Sequence, residues 1–129
     1  MFICIENMDA DELKRRYAAG DRDFTGANLT RAKLVGVNLV GVNLCAADLS
    51  GANLARAKLW GANLSGANLA RANLTRANLS GVKLNEANLR QAKLTNTKLY
   101  AANLSGAYYD ESTRFSNGFD PISKNMRKV

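Results

Sequence analysis

The sequence predicts an all-β solenoid, a chain of short extended pieces wound into a stacked coil. Two observations point there. Leucine stands at every fifth position from Leu29 to Leu104 without a miss, and Phe24 and Tyr109 extend the series at either end. Two residues before each of these leucines stands Ala or Val, broken only by Thr97. Self-similarity at a fixed period is the signature of a repeat architecture.

Neither regular structure carries this pattern straight. An α-helix turns about 100° per residue, so a leucine every five residues would spiral over all faces. A straight strand alternates its side chains, so an odd period would put successive leucines on opposite faces. Ala and Leu two apart do share a face in a strand. The pattern is therefore met if each pentad is a short extended piece followed by a turn. Gly at the fifth position of many units (Gly36, Gly41, Gly51, Gly61, Gly66, Gly81, Gly106) suits that turn. Asn before the leucine suits turns and can form side-chain ladders between stacked coils. The number of pentads per coil stays open on the period alone. Arg56 with Arg76, Arg31 with Arg71, Lys58 with Lys98, Trp60 with Tyr100 and Val42 with Val82 recur at multiples of twenty. Lys33, Lys58 and Lys83 recur at twenty-five.

The length of 129 residues fits one domain. It divides into an N-terminal cap over 1–21, the repeat over 22–111 and a C-terminal cap or tail over 112–129. In the N-terminal part, Asp9 is placed to cap a helix near residues 10–19, with Glu12 at capping-box spacing. Leu13 and Tyr17 are four apart and would face the rod, and Gly20 suits a stop. At the far end Phe115, Phe119 and Ile122 are expected to close the last coil. Covers are needed because an open coil exposes unpaired backbone edges. Incomplete covering would leave end-to-end dimerisation as the alternative to a monomer.

The opening Met1-Phe2-Ile3-Cys4-Ile5 is too short for a signal peptide, and no run approaches a membrane span, so the expected location is the cytoplasm. Cys4 and Cys45 lie far apart with no CxxC, which predicts reduced thiols. No histidine is present, and no cysteine cluster offers a zinc site. Gly61 and Gly66 have the glycine spacing of a P-loop, but Ala67-Asn68 stands where Lys-Ser/Thr is needed. The tight acid pairs Asp21 with Asp23 and Asp110 with Glu111 sit at the rod's ends and read as turn residues. No enzyme activity, cofactor or metal is expected.

The series Ala-(Asn/Asp/Lys)-Leu-x-x resembles the pentapeptide-repeat family. That resemblance implies a right-handed quadrilateral β-helix with four pentads per turn, hence about four and a half coils over the repeat. The flanks, from Met8-Asp9-Ala10-Asp11-Glu12-Leu13 to Gly20 and from Tyr109-Asp110-Glu111 to Pro121, resemble small single-domain cyanobacterial members. The family mostly lacks assigned biochemical function. Its better-understood members bind proteins, and one group inhibits DNA gyrase by imitating DNA.

With four pentads per coil, outward residues stack into stripes. One face lines up Val40, Trp60, Ser80 and Tyr100, with Lys58 and Lys98 beside them. Trp and Tyr are favoured in binding hot spots, which makes this face the candidate protein-binding surface. Two adjacent faces gather a basic stripe of Arg31, Lys33, Arg56, Arg71, Arg76, Arg90 and Lys93. Residues 22–109 hold eleven cations against Asp23, Asp48 and Glu86, within a chain of net charge +7. The leading expectation is a non-catalytic protein-interaction or scaffold module. Nucleic-acid or acidic-partner binding through the basic stripe is the alternative. DNA mimicry against a topoisomerase is disfavoured, because a mimic must place negative charge where phosphates would lie. A protein partner is expected before nucleic acid, and no membrane.

Overall fold

The five-residue unit solves its own hydrogen bonding. In the pentad Ala62 to Gly66, the Ala62 N–H closes a turn on the Leu59 carbonyl at 3.0 Å. Asn63 donates back to Val42 in the preceding coil (2.9 Å), while Leu64 and Gly66 donate forward to Lys83 (2.7 Å) and Asn85 (3.0 Å). Only the Ser65 N–H lacks a backbone acceptor, and it is taken by the Asn63 Oδ1 at 2.9 Å. All five donors of the unit are thereby satisfied, as a tightly wound backbone requires.

In the computed structural model, which describes residues 7–129, this unit repeats through the rod. From Asp23↔Asn43 to Asn88↔Tyr108, each isolated parallel bridge joins residues twenty apart, so the coil has four sides. The recurrence at twenty-five therefore moves Lys33, Lys58 and Lys83 onto three different sides. Most of the ladder consists of single bridged residues, because the turn interrupts each extended piece. Among the described residues four two-residue strands form: β1 (Lys93–Leu94), β2 (Tyr108–Tyr109), β3 (Arg114–Phe115) and β4 (Arg127–Lys128). β1 pairs in parallel with β3 and β2 with β4, so the tail continues the ladder of the repeat.

Ala/Val and Leu point inward as the period demands. The leucines from Leu34 to Leu94 are 0 % exposed. Toward the end of the rod the burial loosens at Thr97, Leu99 and Ala102, which are half-buried. Thr97 breaks the Ala series without leaving a stranded hydroxyl, since its Oγ1 donates to the Leu74 carbonyl at 2.8 Å.

The N-terminal helix α1 spans Ala10–Ala18, with the Asp9 Oδ1 accepting the Glu12 N–H at 2.8 Å. The reciprocal half of the capping box is absent, because the Glu12 carboxylate turns to Arg16 at 3.4 Å. Leu13 is fully buried against the rod, and the Tyr17 hydroxyl donates to the Val40 carbonyl at 2.7 Å. At the other end Phe115 stacks on Phe119 and meets Tyr109 edge-on. Ile122 does not join them. It begins the short 3-10 helix Ile122–Lys124 after Pro121 and is 76 % exposed, whereas Met126 is buried. The turn imposed by Pro121 carries Ile122 outward and returns the chain to the rod at Met126.

The asparagines take the turn role and build no continuous ladder. Their side chains act locally, each Oδ1 taking the N–H two residues on, as in Asn53 to Ala55, Asn68 to Ala70 and Asn78 to Ser80. Among the described residues, side chains of neighbouring coils bond to one another at Asn28 with Asn7 and at Ser65 with Asn85. The N–H of the fourth residue is otherwise stranded, and the nearby Oδ1 satisfies it ahead of any ladder.

Leu64→Ala is expected to cost about 2–5 kcal/mol, the usual range for a leucine removed from a packed core. Chemical denaturation of the variant, read by far-UV circular dichroism, measures the loss.

Candidate functional site

The bridged register decides which outward residues share a side. Asn38, Lys58, Asn78 and Lys98 bridge in one column. Two residues on stand Val40, Trp60, Ser80 and Tyr100, followed by Gly41, Gly61, Gly81 and Ala101 at the corner. The five expected residues of this face therefore do fall on one side. Tyr100 is 83 % and Trp60 44 % exposed. Val40 is half-buried beneath Tyr17, so the open part of the aromatic stripe begins at Trp60. No outward residue of this side is acidic, and Lys58 and Lys98 give it positive charge.

The basic stripe occupies a neighbouring side and its two corners. Lys33, Asn53, Asn73 and Lys93 form its column, and Arg114 of β3 continues it below Lys93. One corner carries Arg31, Gly51 and Arg71, the other Arg56 and Arg76, and Arg90 stands on the adjoining side two residues after Asn88. The Arg31 stem lies over Gly51, where an added Cβ would stand 3.2 Å from Arg31 Cγ. Among the described residues, the ion pairs belong to Arg16, with Glu12 and Asp21, and none involves the seven stripe cations. The aromatics lie on a different side, so cations and stacking rings are not combined.

The stripe has a backbone feature that the sequence reading missed. Arg31, Arg56, Arg71 and Arg76 hold φ near +60°, the left-handed conformation taken at the same pentad position by Gly36, Gly61 and Gly66. The corner demands that conformation of whatever residue stands there, and a side chain there costs roughly 1–2 kcal/mol. Four arginines are thus carried where the backbone favours glycine.

The acid pairs read as turn residues. Asp23 Oδ1 accepts from the Thr25 hydroxyl and N–H, which holds its carboxyl below the ordinary range. Asp110 gathers the Gln91 and Ser112 N–H groups and the Thr113 hydroxyl. Partial burial raises its pKa, but these hydrogen bonds outweigh that and leave it lowered. Among the described residues no cluster of His, Cys, Asp and Glu could hold a metal ion. Cys45 is a half-buried free thiol, while Cys4 lies outside the described residues. An open groove of about 760 Å³ lies between the start of α1 and the first coil, but its walls mix Asp9 and Asp11 with Lys14, Arg31 and Lys33.

The profile of the pentapeptide repeats, in eight copies, matches residues 23–61, 47–85 and 72–108. The chain belongs to the pentapeptide-repeat family. Pentapeptide-repeat proteins form right-handed quadrilateral β-helices, in keeping with the four-sided register. A pentapeptide-repeat protein of the cyanobacterium Cyanothece 51142 is 43 % identical, with a TM-score of 0.72 over 72 % of this chain and 63 % of that one. One from Nostoc Pcc 7120 is 36 % identical, with a TM-score of 0.61 over 94 % and 96 % of the two chains. A third, from the thylakoid lumen of Arabidopsis thaliana, is 36 % identical, with a TM-score of 0.67 over 70 % and 63 %. The chain thus spans less than two thirds of the first and third of these. No curated protein matches it.

Within the family frame the lysine units stand out. Where Lys replaces Asn before the leucine, no Oδ1 is present. The N–H groups of Val35, Trp60, Asn85, Thr95 and Tyr100 accordingly have no acceptor among the described residues. The signal was legible, as Lys in the Asn column, but its meaning depended on the local role of Asn. Lys83→Asn should supply the missing acceptor and raise stability by about 0.5–1 kcal/mol, the scale of one net hydrogen bond. A thermal melt tests this, and an unchanged or lowered Tm would contradict the local role of Asn.

Proposed function

We propose that the chain is a non-catalytic protein-interaction rod that docks its partner through the side bearing Trp60 and Tyr100. The observation that carries this reading is the exposure of these two rings, 44 % and 83 %, on one side of a rod whose other repeat aromatics are buried (Phe24, Tyr109) or half-buried (Tyr108). Such rings supply large contact area with little conformational entropy to lose. The absence of histidine in the chain also removes the commonest general base. We further read the rod as about four and a half coils, covered by α1 at one end and by residues 112–129 at the other. The cytoplasm is its proposed location.

The test is affinity capture from nuclease-treated lysate, followed by titration of the purified captured protein. Trp60→Ala/Tyr100→Ala should weaken that binding at least about tenfold, since hot-spot aromatics commonly carry 2 kcal/mol or more. Both side chains point outward, so the melting temperature should barely move. Equal binding by the double variant would refute the reading for this side.

A second reading is favoured by the seven unpaired cations of the basic stripe. It takes this stripe as the contact for an acidic partner or nucleic acid. Binding through it should fall steeply with salt and drop on Arg56→Ala/Arg76→Ala. Salt-insensitive binding would remove it. The basic balance of the repeat also argues against DNA mimicry.

A further inference from the structure

We infer that the Trp60/Tyr100 side recognises an acidic segment in polyproline II conformation, laid along the rod with carboxylates three residues apart. The inference rests on the binding reading above and specifies what binds.

It begins with the missing Asn acceptor. In Asn units the fourth N–H is closed from within, as the Ser80 N–H is by the Asn78 Oδ1 at 3.1 Å. Lys58 and Lys98 carry no such oxygen, and the N–H groups of Trp60 and Tyr100 have no acceptor among the described residues. Each unit therefore offers an open N–H, an ammonium two residues upstream and an exposed aromatic ring. An incoming carboxylate replaces the absent Oδ1, accepting the N–H while pairing with the ammonium. Hydrogen bonds to an ionised acceptor are roughly twice as strong as neutral ones. The three other lysine units, before Val35, Asn85 and Thr95, have no ring at that position and lie on other sides. The repeat units of the Trp60/Tyr100 side carry no outward acid, and among the described residues Lys58 and Lys98 form no ion pair.

The spacing selects the ligand's conformation. Lys58 and Lys98 stand two coils apart in one column, roughly 10 Å at the usual ladder spacing. A polyproline II helix repeats every three residues and advances about 9.3 Å in doing so. Carboxylates three residues apart then fall on one side at the spacing of the two lysines. In a β-strand, residues three apart point to opposite faces. Ser80, small and lying between the rings, leaves room for the intervening prolines.

Trp60 is the chain's one tryptophan and sits in the site, so its fluorescence reports occupancy directly. The probe is a synthetic peptide of Glu-Pro-Pro triplets. The comparison peptide has the same composition but adjacent glutamates. The triplet peptide should shift Trp60 emission and bind more tightly than the comparison peptide. Two paired variants separate charge from N–H capture. Lys58→Gln/Lys98→Gln removes the charges and, with a longer side chain, leaves both N–H groups open. Lys58→Asn/Lys98→Asn removes the charges and closes both N–H groups, and it places before Leu59 and Leu99 the residue that most other units carry there, which keeps the fold. The Asn pair should bind at least about fivefold more weakly than the Gln pair, the scale of one hydrogen bond. No response to the triplet peptide, no preference over the comparison peptide, or equal loss in the two paired variants overturns the inference. If the captured partner is lost from Trp60→Ala/Tyr100→Ala but binds Lys58→Asn/Lys98→Asn normally, this inference fails and the binding reading stands. If it is retained by Trp60→Ala/Tyr100→Ala, the binding reading itself fails.

Discussion

A wall built from five-residue units has five N–H groups per unit, and the stacked backbone accepts only four of them. The fifth, on the residue after the leucine, points outward with nothing behind it. In most units of the rod an Asn or Asp side chain folds back to take it, as Asn73 takes the Thr75 N–H at 3.0 Å. The stacked backbone sets the four-sided path, and that closure completes its hydrogen bonding; lysine units lack the closure yet keep the inward leucine and the corner, as at Leu59 and Gly61. A carboxylate does the same work, which is why Asp48 substitutes freely and closes the Ser50 N–H at 3.0 Å. A lysine does not, and each lysine unit gives up local stability for an open donor and a charge on the surface.

The corner imposes a second constraint of the same kind. Each unit turns through one left-handed residue, which glycine adopts without strain. Ala46, Arg56, Glu86 and Ala101 adopt it as well, at φ between +59° and +64°. The twenty-residue register overrides the local preference, because the bonds on either side of the corner hold it in place. Gly106 shows the reverse relation: the Glu86 carboxylate lies where its Cβ would stand, at 2.6 Å. Outward side chains thus settle into the space that glycine leaves in the next coil.

Much of this was legible in the sequence, and the exceptions have physical reasons. The inward leucines follow from periodicity, the N-terminal helix from its Asp9 cap and the Leu13/Tyr17 spacing, and the shared side of Trp60 and Tyr100 from the four pentads per turn that the family resemblance implies. Asn serves the turn and not a ladder; turn propensity and ladder formation favour the same residue, and only the count of N–H acceptors separates them. Ile122 escapes the sequence pattern, because apolarity marks what should be buried but not where a proline will send the chain. The open N–H groups of Trp60 and Tyr100 are features of the backbone, and a pattern of side chains does not display them.

The separation between inward and outward positions bears on how such a rod acquires a partner. Each unit contacts only its neighbours, so a change at an outward position leaves the inward ledge of Ala and Leu intact. Surface chemistry can vary unit by unit while the coil spacing stays fixed. A ligand that matches the spacing meets groups already in place, and little ordering entropy opposes binding on the rod's side. A polyproline II segment is itself ordered before it binds. Two rigid partners of equal repeat length lose less freedom on meeting than a flexible loop and a flexible peptide would. That is the physical reason to look for function where two units of this rod depart from the repeat in the same way on the same side.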